Sequence, residues 1–251
     1  VLQALKAGGF DIASRNHALA ILAGDFPEAV EGLIGALLSF RLGPREIIQS
    51  GGGQAASTMR LRDALYRAGW HKHEFVVQTV VDGHPREARS HEVDHVKQGA
   101  GGTLALEIEW NNKDPFFDRD LENFQRLHAL GAISLGVLIT RGRALQAEMA
   151  RIVAATIRAE GITDAGALKA WGMKQRTERQ MAMLAGPVER QVPFADAFAQ
   201  SFVADKFGTA TTHWAKLEDR IKRGVGNPCP LLLIGLPLAA VTDYSAASPE
   251  L

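Results

Sequence analysis

Leu104 to Trp110 carries a large apolar residue at every second position, and no other stretch constrains the fold as tightly. In a strand, successive side chains point to opposite faces. Leu104, Leu106, Ile108 and Trp110 therefore share one face, and Ala105, Glu107 and Glu109 the other. The apolar face demands burial, which sets the register and makes Glu107 and Glu109 neighbours. Upstream, Val93-Asp94-His95-Val96 reads as a short strand, and Lys97 to Thr103 as a turn with three glycines. Glycine supplies the φ > 0 conformations that such a turn needs. An antiparallel return across this turn brings Asp94 towards the two glutamates.

Three carboxylates at one sheet edge repel and raise one another's pKa. A hard divalent cation such as Mg²⁺ is the natural compensation, because it prefers oxygen ligands. Taken alone, a Glu-x-Glu on a strand more often lines a solvated face. The continuation, NNKDPFFDRDLENFQRLHALGAISLGVLITRG, shifts the balance. Asn111 to Asp114 is a polar run just past the strand. Pro115 bars a helix there, and Asp118 then serves as N-cap for a helix from Arg119 to Leu130 that buries Leu121, Phe124, Leu127 and Leu130. Ser134 to Thr140 is a continuous apolar run, as expected of a buried parallel strand. A strand–helix–strand unit of this kind crosses right-handed.

The N-terminal part reads as helical. Ile12 to Leu22 has helical spacing with Gly24 as C-cap, and Asp25 opens a second helix that runs with Pro27 in its first turn to about Phe40. Thr58 to Arg67 is a third helix. Phe75 to Val81 is β-rich and ends at the turn dipeptide Asp82-Gly83. Ser50-Gly-Gly-Gly-Gln lacks the Gly-Lys-Ser/Thr of a phosphate loop and reads as a connection. Ala144 to Glu160 is a long helix, and Trp171 to Leu184 is basic and rich in methionine, with Lys174, Arg176 and Arg179. Gly208 to Lys216 looks like the start of a helix, where free N–H groups with Thr209, Thr211, Thr212 and Lys216 suit a phosphate or a base edge. Leu231 to Ile234 is a last buried strand, and the tail from Ser245 is loose. His71/His73 and His91/His95 invite a zinc reading, but no cysteine pair or His-Glu-x-x-His helix joins them.

One cysteine, Cys229, allows no intrachain disulfide, fits a reducing cytoplasm and reads as a small buried hydrophobe. No apolar run reaches the roughly 20 residues of a membrane span, and the first residues lack the pattern of a signal peptide. The formal net charge is zero, but residues 134–225 carry a net +5 and the remainder a net −5. A basic second half beside an acidic centre suits a nuclease that acts on DNA; ordinary scatter explains it equally well.

Asp94, then Glu107-x-Glu109, then WNNKD, FDRDL and GVLITR, together resemble the BamHI/BglII group of type II restriction endonucleases, within the PD-(D/E)XK nuclease superfamily. The resemblance runs from about Leu61 to the LLLIG segment and is sharpest between His91 and Arg141. Two positions depart from the superfamily pattern. Val93 stands where proline is usual, and Glu109 where lysine is usual; the second departure is shared with the BamHI-like branch. The resemblance implies that Asp94, Glu107 and the Ile108 carbonyl ligate one or two Mg²⁺ ions, with Glu109 as a further ligand or the general base. It makes Glu74 a candidate extra glutamate, and Glu31 and Glu46 weaker ones. It also makes Asn112 the foremost reader of bases, followed by Asn111, Lys113 and Arg119. An Asn-rich turn bonded to its own backbone is the competing reading.

The expected fold is α/β, a mixed central sheet flanked by helices. It forms one nuclease domain with a helical section to residue 70, a catalytic core over 71–160 and a DNA-contact section over 161–251. The expected activity is Mg²⁺-dependent cleavage of double-stranded DNA at a palindrome, by a homodimer with one site per strand. A repair or mobile-element nuclease on the same core, a noncatalytic DNA-binding protein and, least favoured, a glycosidase are the alternatives.

Overall fold

The structure, a computed structural model, describes residues 2–49, 55–173 and 177–244. The Ser50–Gln54 run, Lys174, Arg176 and the tail from Ser245 lie outside the described residues. Six strands, β1 (Asp11–Arg15), β2 (His71–Val81), β3 (His84–Gly99), β4 (Gly102–Glu109), β5 (Leu135–Arg141) and β6 (Leu231–Leu236), form one sheet in the order β1-β6-β5-β4-β3-β2. β4, β5 and β6 run parallel, while β1, β3 and β2 pair antiparallel with their neighbours. The sheet is therefore mixed and the fold α/β, as the sequence implies.

Helices cover both faces, and the two-residue alternation of the strands sorts the core accordingly. Leu104, Leu106, Val137, Ile139, Leu232 and Ile234 face the larger cluster. That cluster is completed by α1 (Gln3–Ala7), α2 (Ala18–Asp25), α3 (Pro27–Leu38), α4 (Pro44–Gln49) and α5 (Ala56–Arg67). Ala105, Leu138, Leu231 and Leu233 face the smaller one, under α6 (Phe116–Ala129). The larger cluster also takes α7 (Arg143–Ala159), α8 (Ala165–Ala170), α9 (Glu178–Glu189) and α10 (Phe194–Lys206), and the smaller takes α11 (Trp214–Lys222). No helix among the described residues is long and apolar enough to cross a membrane.

Several elements depart from the sequence reading. Ile12 lies in strand β1, not in a helix, and α2 begins only at Ala18. A short apolar run does not distinguish helix from strand by spacing alone. Here the antiparallel partner β6 decides it, and Asn16 and His17, both at positive φ, break the chain direction before α2. β3 is sixteen residues long and not four, because its first half pairs with β2 in a ribbon that reaches beyond β4. Helix α6 starts at Phe116, directly after Pro115, which a helix start tolerates. Asp118, expected as its N-cap, lies in its first turn, and one of its oxygens accepts two hydrogen bonds from Arg220, each 3.2 Å. Cys229 is fully buried, as expected, and burial pushes its thiol up to about 12.

Candidate active site

Two local irregularities place the acidic residues. First, His71 faces Val96 in the β2–β3 ladder but His73 faces Val93, so β3 carries one extra residue between them. A bulge of this kind re-aims side chains. Asp94 sits in it and shares a sheet face with Ala105, Glu107 and Glu109, whereas His95 turns to the opposite face against the Tyr66 ring, 5.7 Å away. Second, the β3–β4 ladder stops at the His95/Leu106 pair, while β4 continues along β5 to the Glu109/Thr140 pair. Glu107, Ile108 and Glu109 therefore occupy a strand edge whose antiparallel partner has diverged. The backbone N–H of Asp94 donates to Glu107 Oε1 at 3.3 Å, which ties the two strands across the gap.

Helix α6 completes the site. It approaches the sheet over Gly136, where a Cβ would meet the Phe124 ring at 2.4 Å. Gly136 pairs with Ala105. One helical turn before Phe124, about 6 Å along the axis, lies Asp120; two residues past Ala105, about 6.6 Å along the strand, lies Glu107. Asp120 is thus carried to the level of the glutamates, and it is only 2% exposed. Arg119 donates to Asp120 Oδ1 from Nε at 2.8 Å and contacts it from Nη2 at 2.7 Å. The same Nη2 reaches Glu109 Oε1 at 3.5 Å, and the guanidinium lies over the Phe116 ring at 4.4 Å. Asn112 Nδ2 donates to Glu109 Oε2 at 2.8 Å.

The electrostatics follow from this crowding. Burial, with the charges of Asp120, Asp94 and Glu109, pushes Glu107 up to about 9, although the Asp94 N–H works against the shift. Glu109 and Asp120 are also raised, burial again leading. Their carboxyl groups are close enough to share a proton, and they titrate as a pair. Asp120 Oδ2 is buried and meets no donor. Two carboxyl groups in such contact need a proton or a cation between them.

The donor set therefore fits a hard divalent cation in kind: oxygen atoms only, negatively charged and short of positive partners. Among the described residues, no three His, Cys, Asp or Glu side chains stand at separations that would hold a metal ion as they are.

The other residues singled out from the sequence divide into two groups. Asn111, Lys113 and Arg119 are exposed beside the site, and Asn112 is exposed while bonded to Glu109. Thr211 is held internally, accepting from Arg141 at 2.9 Å and donating to the Gly208 carbonyl at 2.8 Å. Thr212 is fully buried, and its backbone N–H donates to the Asn112 carbonyl at 2.8 Å. Lys216 pairs with Asp114 at 3.3 Å. The loop before α11 is thereby joined to the Asn111–Asp114 turn. Glu74 is exposed on β2, opposite Glu92, and is not brought into the carboxylate cluster. Glu31 is exposed, and Glu46 is bound by Arg60 at 2.5 and 2.7 Å.

Two residues escaped the sequence reading. Asp120 stands on the buried stripe of α6 with Phe117, Leu121 and Phe124, and an acid at such a position is the signal that marks it. Arg141, at the end of β5, is completely buried. It donates to the Trp110 carbonyl, to Gln146 Oε1 at 2.8 Å and to Thr211, and it lies over the Trp110 and Phe207 rings. It braces the end of β4 against the loop before α11, and burial lowers its pKa to about 9.

A mixed sheet flanked by helices, with acidic residues gathered where two central strands diverge, has the α/β architecture of the restriction-endonuclease-like enzymes. The model of the restriction endonuclease BglII/BglIII family matches residues 10–236, a span that takes in all six strands, and the chain belongs to that family. It is a type II site-specific deoxyribonuclease, which acts on double-stranded DNA. No individual curated protein matches the chain significantly.

Proposed function

We propose that the chain is a single nuclease domain that cleaves both strands of a palindromic DNA site in the presence of Mg²⁺, as a homodimer with one active site per strand. The observation that carries this reading is the pair of buried glutamates on the free edge of β4, the first of them, Glu107, accepting from the Asp94 backbone N–H. Asp94, Glu107, Glu109 and the Ile108 carbonyl would hold the cation. When bound, Mg²⁺ supplies positive charge at the scissile phosphate and makes water a better nucleophile. The chain's own residues do the rest. Glu109 orients the attacking water and accepts its proton. Asn112 steadies Glu109 through Oε2 and lies at the start of the exposed turn that reads base edges, where Asn suits adenine and Lys or Arg suits guanine. Arg119, 54% exposed, reaches from the carboxylates towards the DNA backbone. Two-fold symmetric DNA is matched by a two-fold symmetric dimer.

Digestion of a sequenced plasmid with Mg²⁺, with and without EDTA, tests the reading. Discrete fragments that vanish with EDTA, with ends sharing one palindrome, support it. A smear would replace it with a nonspecific nuclease, and intact DNA with every divalent metal would leave a DNA-binding protein without cleavage.

A further inference from the structure

The four carboxylates divide unevenly among their partners. Glu107 receives the Asp94 N–H, and Glu109 receives Asn112 and Arg119. Asp120 is held by Arg119 through Oδ1 alone. Its second oxygen, Oδ2, is buried and accepts from no N–H, and the Asp120 carboxyl lies in an acidic cluster, in contact with that of Glu109. A buried carboxyl oxygen that no N–H meets is costly to ionise, and proteins normally supply a donor or a cation. Here the helix that carries Asp120 is anchored by Phe117, Leu121, Phe124 and Leu127, all fully buried, and by the close approach over Gly136. The backbone therefore cannot swing the oxygen out to water. The cation paired with it, Arg119, is a half-exposed side chain on a long stem that can withdraw.

We propose that Asp120 is a ligand of the divalent-cation site, contributed by helix α6 in addition to the residues of β3 and β4, and that the Arg119 guanidinium holds its place until the cation arrives. The inference rests on the reading of Asp94, Glu107 and Glu109 as a cation site. It adds a donor from the element that also carries Arg119. Cation binding and release of Arg119 towards DNA are then two sides of one exchange, since both positive groups compete for the same carboxylates.

Calorimetric titration of the DNA-free protein with Mn²⁺ at mildly alkaline pH tests this, with wild type, Glu107→Gln and Asp120→Asn compared. Asp120→Asn keeps the side-chain shape and relieves the crowding of acids. Its melting temperature in EDTA is therefore expected to equal or exceed that of wild type, while its Mn²⁺ affinity falls about tenfold or more. Loss of Mn²⁺ binding in Glu107→Gln with wild-type affinity in Asp120→Asn overturns the assignment of Asp120 and leaves the β-strand site standing. No Mn²⁺ binding by wild type, or equal binding by wild type and Glu107→Gln, removes the cation site itself and Asp120 with it. Asp120→Cys supplies a second readout that a packing role cannot produce. A thiolate ligand selects soft metals, so this variant should take up Cd²⁺ with a thiolate-to-cadmium absorption that wild type lacks, since Cys229 is buried with its thiol held protonated. Absence of that absorption also overturns the proposal.

Discussion

Asn112 donates a 2.8 Å hydrogen bond to Glu109, so the first turn after β4 holds one of the buried carboxylates. On the proposed reading, a candidate reader of DNA is thereby attached to a candidate catalytic residue. Asn112→Ala is expected to slow single-turnover cleavage about 10- to 100-fold, the usual effect of removing a partner that orients a site residue. Asn112→Asp, which adds a fifth carboxylate, should slow it further. Cleavage unchanged in Asn112→Ala, with specific binding lost, would make Asn112 a reader of bases alone.

Glu107→Gln and Asp94→Asn are expected to reduce cleavage by about a thousandfold or more, because charge that supports the transition state is removed, while DNA binding is largely kept. Gel-shift and cleavage assays on the same oligonucleotide separate the two effects. Turnover near wild type in either variant would remove that residue from the site.

The raised Glu107 pKa makes the metal-free fold sensitive to pH. Between the unperturbed value of 4.5 and about 9, folded Glu107 retains a proton that the unfolded chain has lost. The native state then binds more protons, so stability falls as pH rises through that window. The melting temperature in EDTA should drop from about pH 6 to about pH 8.5, more steeply in wild type than in Glu107→Gln. A divalent cation should restore most at the alkaline end, where the carboxylates are free to bind it. Parallel profiles for the two proteins would show that Glu107 ionises normally.

Gly136→Ala tests how α6 is placed. The new methyl would lie 2.4–2.9 Å from the Phe124 ring, which is fully buried and has no room to yield. A cost of about 1–3 kcal/mol is expected from overpacking, measurable by urea unfolding, together with a loss of cleavage as Asp120 and Arg119 move off the glutamates. A variant with wild-type stability would show that α6 shifts freely over β5.

The parts of the fold legible from sequence are those with long or regular patterns. The alternation read over Leu104 to Trp110 and the apolar run read over Ser134 to Thr140 appear as strands Gly102–Glu109 and Leu135–Arg141, shifted by one or two residues at their ends, because a strand's face is decided by a period of two and by burial alone. Strand β1 was not legible, since five residues beginning Asp11-Ile12 have no period to read and take their form from β6. The bulge in β3 was equally hidden. It depends on which residues of β2 lie opposite, and that register is a property of two strands together.

The same division runs through the site. Which acids lie on one strand, Glu107 and Glu109, and their kinship with Asp94 across a glycine turn, belong to the sequence by itself, because neighbours two apart on a strand share a face wherever the strand goes. Tertiary structure decided everything that depends on distance through space. It brought Asp120 from the next helix, set Arg119 between two carboxylates, turned Thr211 and Thr212 inward and left Glu74 in solvent. Spacing along a chain cannot report these, since they follow from how closely Phe124 lies on Gly136 and where β3 leaves β4, and packing alone sets both.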